Sequence, residues 1–343
     1  MISTIVDSNC KICIIRRMRK YLLLISLFFL SCGLSPGARA KMVLEQGLKN
    51  SSPIVRINAA MGLNSETASV VLTGIFMDGE NEAKAAVLQS ISENKELLSE
   101  SLIVEACRNP NPSVREAAYR VVALSEFVNA RDLLLQGTQD ELVAVRVISY
   151  GGLARFGDRE FLQQGIRDPE TRVRIASAKA LGELGRAGMP EFIKDELKKS
   201  TPDLLGIGII AMAELSDTAS IPLFKALLKE GAGDLRIDAA EALLILGDGT
   251  GVGALQNGLQ SNDPFVRIHA TEVLTRHNVP ATYPHLEAAT RDEFMNVAVR
   301  AVKALAQHEP GKYKELFKEL MDAQNPLLRI AAATAYLRSL DGA

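Results

Sequence analysis

Apolar positions along most of the chain recur at helical rather than alternating spacing. In the run at 168–185, Val173, Ser177, Ala180 and Leu181 fall on one face of a wheel turning 100° per residue. Val266, Ala270, Val273 and Leu274 repeat that stripe in the run at 262–274. Related runs stand at 52–63, 111–124 and 325–337, each with an apolar residue, a basic residue and a small residue three positions later. Aligned on the basic position, the register runs Arg56, Lys84, Arg115, Arg146, Arg174, Leu205, Arg236, Arg267, Ala298 and Arg329, in steps of 28 or 31 residues. A step of about 31 holds two helices of roughly 10–14 residues and two short turns. Amphipathic first helices are visible at 221–230 and 313–321. Pro, Asn and Asp before several second helices are start signals, because Pro suits the first turn and a short polar side chain caps unpaired amides. No β pattern of comparable length competes. The pattern predicts an all-α superhelix of about ten two-helix repeats over residues 41–340.

Composition agrees with that reading. The apolar fraction is 47%, aromatics are 5% and Trp is absent, so Ala and Leu supply much of the core. Small apolar residues suit close helix packing. The formal charge is −2 overall; without residues 1–31, 34 basic and 40 acidic residues remain, a net of −6. That balance argues against binding nucleic acid, and the only expected link to a membrane is a lipid anchor.

The repeat resembles the HEAT repeat, in particular the short kind shared with phycobilin-lyase-like proteins. The resemblance implies an α-α solenoid whose second helices line a concave side. It also implies a ladder in which an acidic or amide side chain six positions before each register residue links successive repeats. Asn50, Asp78, Asn109, Asp140, Asp168, Glu230 and Asp292 hold that position. Asp140, Arg146, Asp168, Arg174, Glu230 and Arg236 are the expected ladder. Lys199, Ser261 and Ala323, with Leu205 and Ala298 at the register position, predict interruptions in the sixth and the last three units.

The N-terminus reads as an export signal over residues 1–31. Arg16, Arg17, Arg19 and Lys20 precede an apolar run at 21–30, too short to span a bilayer. Met18 is an alternative start. Phe29, Leu30, Ser31 and Cys32 resemble a bacterial lipoprotein box, making Cys32 the candidate lipidation site, with 32–40 as a short linker. The alternative is cleavage after Ala40, at an A-x-A site, giving a soluble periplasmic or secreted product. Cys10 and Cys13 lie in the presequence. Cys107 is expected to be a buried helical residue, so no disulfide framework exists.

Candidate chemistry is sparse. His269, His277, His285 and His308 read as solvated or partly packed side chains, with no metal site and no cofactor expected. The glycine-rich stretch 247–253 lacks the strand and the Lys-Ser/Thr of a phosphate loop, and reads as a turn between repeats with Asp248 as a cap. Five positions after the register residue, side chains are expected to point away from the core. That position holds Arg120, Lys179, Glu241, Glu272 and Lys303 among others, the candidate surface for a protein or peptide partner. The sequence therefore predicts a non-enzymatic, lipid-anchored scaffold or adaptor of the cell envelope. The alternative is a lyase-like enzyme or enzyme subunit.

Overall fold

The structure, a computed structural model, describes residues 34–92 and 94–341. Among the described residues, twenty α-helices form ten successive pairs and no strand occurs. In chain order the pairs are α1 (Pro36–Gly47) with α2 (Pro53–Met61), α3 (Ser65–Asp78) with α4 (Asn81–Ser90), and α5 (Glu100–Ala106) with α6 (Pro112–Leu124). Next come α7 (Ala130–Gly137) with α8 (Val143–Leu153), α9 (Arg159–Gly165) with α10 (Thr171–Glu183), and α11 (Met189–Lys198) with α12 (Leu205–Glu214). The last four are α13 (Ile221–Glu230) with α14 (Asp234–Ile245), α15 (Val252–Leu259) with α16 (Pro264–Arg276), α17 (Tyr283–Ala289) with α18 (Met295–His308), and α19 (Lys314–Leu320) with α20 (Pro326–Asp341).

Local chemistry sets the starts of the second helices. Pro53, Pro112, Pro264 and Pro326 occupy their first turns, where a missing amide costs nothing. Asn111 and Asp263 cap the helices that follow them by accepting backbone amides. Within pairs, glycines let helices touch. A Cβ on Gly165 would lie 2.1 Å from Ser177 Oγ and 2.8 Å from the Tyr150 ring; Gly137 meets Ser149 and Tyr119 in the same way. The motif therefore locks a first helix, its own second helix and the preceding second helix at one point.

The second helices pack side by side, and the first helices splay outside them. This stack does not end in two free faces. α20 packs on both α1 and α2, so the tenth pair closes onto the first. Ile330 reaches Gly47, Thr334 reaches Gly62, and Arg39 pairs with Asp322. An open repeat array leaves an apolar face at each end that needs a polar cap. Here Ala40 and Leu44 at one end and Ala332, Ala333 and Tyr336 at the other are buried together. A closed circuit of ten pairs requires an average turn of about 36° per pair. The concave surface expected from the sequence is thus the wall of an enclosed lumen.

The N-terminal boundary also differs from the sequence expectation. Residues 36–40, assigned above to a linker, form the first turns of α1. Pro36 sits in the first turn, Ser35 Oγ accepts the Ala38 amide, and Ala40 is fully buried. Of the two small residues in the A-x-A stretch, Ala40 is buried in the seam and Ala38 is exposed. Cys32 and residues 1–31 lie outside the described residues. No helix among the described residues is long and apolar enough to cross a membrane.

Candidate functional site: the lumen and the ladder around it

The ladder is built from one local turn repeated. Asp140 Oδ1 accepts the Leu142 amide and Asp168 Oδ1 accepts the Glu170 amide, each folding the turn before a second helix. The register arginine then folds back: Arg146 Nη1 donates to Asp140 O and Arg174 Nη1 to Asp168 O, both six residues earlier. The rest of the guanidinium reaches forward into the next repeat. Arg115 forks onto Asp140 at 2.9 and 3.1 Å, and Arg146 onto Asp168 at 3.0 and 3.1 Å. These side chains are only 10–14% exposed. Burial pushes the Asp140 carboxyl upward, but the Arg115 hydrogen bonds and the Leu142 amide outweigh it and hold its pKa below the usual value.

The ladder departs from the sequence expectation at three places. At the sixth pair Lys199 holds the acidic position, yet Arg174 is not left alone. It turns to Glu196, three residues earlier on α11, at 2.7 Å from Nε. Near the end, Arg267 pairs with Asp292 at 2.7 Å, so the eighth and ninth pairs are linked although Ser261 and Ala298 break the motif. The reason is that each arginine bonds the acid of the following unit, not its own. By the same rule Glu230 and Arg236 are not rungs: Leu205 before and Ser261 after supply no partner. Glu230 is exposed, and Arg236 Nε donates to Gly231 O.

The second helices expose a lumenal row that includes the predicted positions. A cavity of about 770 Å³ runs along the third to eighth pairs and is lined by Arg120, Lys179 and Glu241. Its floor is apolar, made by Val143, Val147, Ile207 and Ile210 among others. Glu272 lies outside this cavity and pairs with Arg300 at 2.9 Å. Lys303 lines a separate cavity at the seam. The five candidate residues thus do not form one continuous binding floor.

Charges in the larger cavity are matched. Arg120 pairs with Glu116, Arg172 with Asp203, and Lys179 with Glu183 and Glu214. Glu241 is 5% exposed and receives the Arg276 fork at 2.9 and 2.8 Å, with His277 Nε2 at 2.9 Å. Burial alone would raise its pKa, but these partners prevail and bring it to about 2. His269 lies between two carboxylates, 3.2 Å from Asp234 and 3.1 Å from Asp238. Burial opposes its charge, and the two carboxylates outweigh that and raise its pKa. Gly206 makes room for this cluster, since a Cβ there would meet Asp238 Oδ2 at 2.1 Å.

Asp238, Glu241 and His269 bring one ligand atom each within 4.8 Å of one another, close enough to share a cation. Their chemistry fits an ion-pair network better. The imidazole already satisfies both aspartates, and the guanidinium on Glu241 opposes a second positive centre. Sequence reasoning missed this network because it treated the histidines singly. The available signal was register: Asp238 and His269 hold the same position in successive units, 31 residues apart.

The other sequence candidates are also placed. Asp248 Oδ1 accepts the Thr250 amide, and Lys225 pairs with the carboxylate, which brings its pKa to about 2. Cys107 ends α5, buried as a free thiol, and burial pushes its pKa up to about 12. His285 is half-buried on α17, and His308 ends α18 with Nε2 against the Leu274 and Thr275 carbonyls.

Comparison with known proteins adds a family match for one repeat. The HEAT repeat family matches residues 159–187, which span α9 and α10. No curated protein matches the sequence. Among solved structures, the complex of CpcE and CpcF of phycocyanin lyase from Nostoc sp. PCC7120 is similar at a TM-score of 0.44 and 17% identity, covering 70% of this chain and 95% of that one. Human deoxyhypusine hydroxylase in complex with glycerol is similar at 0.36 and 20% identity, covering 88% and 98%. An engineered protein is similar at 0.34 and 15% identity, with the same coverage. Such low values transfer no activity or ligand. One helix pair thus matches the HEAT repeat, and the described residues as a whole form an all-α solenoid of ten such pairs.

Proposed function

We propose that this protein is a non-enzymatic scaffold or adaptor of the bacterial cell envelope, anchored by a lipid on Cys32, that holds an extended segment of a protein partner in its lumen. The observation that carries the partner class is the cavity of about 770 Å³ with its apolar floor and internally paired walls. Such a wall offers little to a bare charge, and it suits apolar side chains on a narrow chain. Closure of the ring excludes wrapping around a folded partner from the side. HEAT-like repeats as a class are consistent with protein binding.

Attachment at Cys32, rather than cleavage after Ala40, is supported by the start of α1. Cleavage after Ala40 would remove the first turn of that helix, the buried Ala40 itself and the Arg39 contact across the seam. Attachment at Cys32 leaves all of these in place.

Site-specific photo-cross-linking in intact cells tests the lumenal site. Ile207 on the cavity floor and Leu223 on the outer helix α13 are comparably exposed, at 45% and 43%. A photoreactive residue at 207 is expected to give a discrete protein adduct that the same residue at 223 does not. Equal labelling from both positions, or none from 207, rejects lumenal binding. Metabolic palmitate labelling tests the anchor, and a label that survives Cys32→Ala rejects it.

A further inference from the structure

The second lumenal cavity differs in chemistry from the first. It measures about 600 Å³ and exists only because the ring closes, since its walls come from the last two and first two pairs together with Thr275 of α16. Two cations face it, Lys303 from α18 and Arg338 from α20, and no carboxylate is present among the described lining residues. Neutral donors and acceptors make much of the remaining wall, among them Asn58, Gln89 and Thr334.

Lys303 stands apart from the other lumenal cations. In the larger cavity each arginine, lysine and histidine faces a carboxylate. Lys303 has one polar contact, a long one of 3.4 Å to Asn58 Oδ1. Its neighbour Arg300 is already taken by Glu272. Arg338 makes no ion pair or side-chain hydrogen bond among the described residues. Crowding by the surrounding ring, followed by the charge of Arg300, pushes the Lys303 pKa below its ordinary value. Lys303 and Arg338 are both solvent-accessible on the wall of this concave cavity, so an anion that enters it meets two cations with no carboxylate among the described lining residues to neutralise them.

We propose that the seam cavity binds a compact oxyanion, a carboxylate or phosphate group on a small polar molecule or at a chain terminus, with Lys303 and Arg338 as its charge partners. Lys303 supplies the central point charge, and Arg338 supplies a planar fork for a second oxygen. Asn58, Gln89 and Thr334 fit the polar body that carries the anion. This site is independent of the apolar floor at Ile207, so either reading can fail without the other.

Calorimetric titration of the whole mature protein with inorganic phosphate, succinate, a short peptide with a free C-terminus and the same peptide amidated tests the site. Saturable one-to-one binding of at least one oxyanion probe is expected. Lys303→Met is expected to weaken it at least tenfold, and Lys303→Arg to keep most of it. Binding of phosphate or succinate identifies a free small anion. Binding of the acid peptide alone, lost on amidation, identifies a chain terminus. No saturable binding of any probe at physiological salt, or binding that is unchanged in a folded Lys303→Met protein, overturns the proposal. Circular dichroism of the variant separates lost binding from lost folding.

Discussion

Ring closure makes a prediction that an open stack does not, and Ile330→Ala tests it. Ile330 is 2% exposed and lies on α20, with its Cδ1 2.9 Å from where a Cβ on Gly47 would sit. The substitution removes three side-chain carbons at the contact between the tenth and first pairs. Ile→Ala changes in a packed core cost about 3 kcal/mol, transfer and cavity terms together. Repeat proteins open locally, so a single melting temperature is the wrong readout. Hydrogen exchange resolved by segment is the right one. If the seam is closed, α1 and α20 are protected by the same opening event. A loss of about 3 kcal/mol then speeds exchange in both by on the order of a hundredfold. Helices far from the seam, such as α10, should change little. Acceleration confined to α19 and α20, with α1 unaffected, would refute closure, because in an open stack the first helix has no contact with Ile330.

Other consequences follow from the ladder, the interlocked pairs and the lumenal charges. Asp168→Asn keeps the turn-forming oxygen but strips the charge facing Arg146, and should cost about 2 kcal/mol in denaturant unfolding, whereas Glu230→Gln should stay within about 0.5 kcal/mol. Gly165→Ala forces a Cβ to 2.1 Å from Ser177 Oγ and should cost about 1–3 kcal/mol, with part recovered in the double variant Gly165→Ala, Ser177→Gly. Acid should weaken the wild type by protonating carboxylates whose pKa falls on folding. For Glu241 that contribution is complete above its ordinary 4.5 and is lost as pH falls toward about 2, so Glu241→Gln should flatten the stability profile there. His269 has the opposite sign: its raised pKa stabilises fully below 6.5 and loses that contribution as pH rises through the folded value, so His269→Gln should remove the alkaline-side decline.

Much of the architecture could be read from periodicity. Ten register positions correspond to ten second helices, and stripes such as Val173, Ser177, Ala180 and Leu181 are buried as their spacing implies. Arg115 meets Asp140 and Arg146 meets Asp168 as rungs because the turn acid and the register arginine recur at matching positions in neighbouring units. The rung from Arg174 to Glu196 was hidden because it uses an acid one turn off register. The Glu241 network was hidden for a related reason: Arg276 and His277 come from the end of the next second helix, where no periodic motif marks them.

The sequence by itself determined the all-α class, the number of units and the inward face of each second helix. All three follow from interactions within a repeat or between neighbours, which recur at a fixed step and so leave a period in the chain. Tertiary structure alone decided that the ends meet. Closure depends on the sum of ten small rotations, and no single repeat encodes that sum. The same closure turned the concave face into a lumen, divided the five predicted partner residues between separate environments, and left Lys303 facing a cavity with no carboxylate among its described lining residues. It also drew residues 36–40 out of the expected linker into α1, because the last pair offers Ala40 an apolar surface that is distant in sequence.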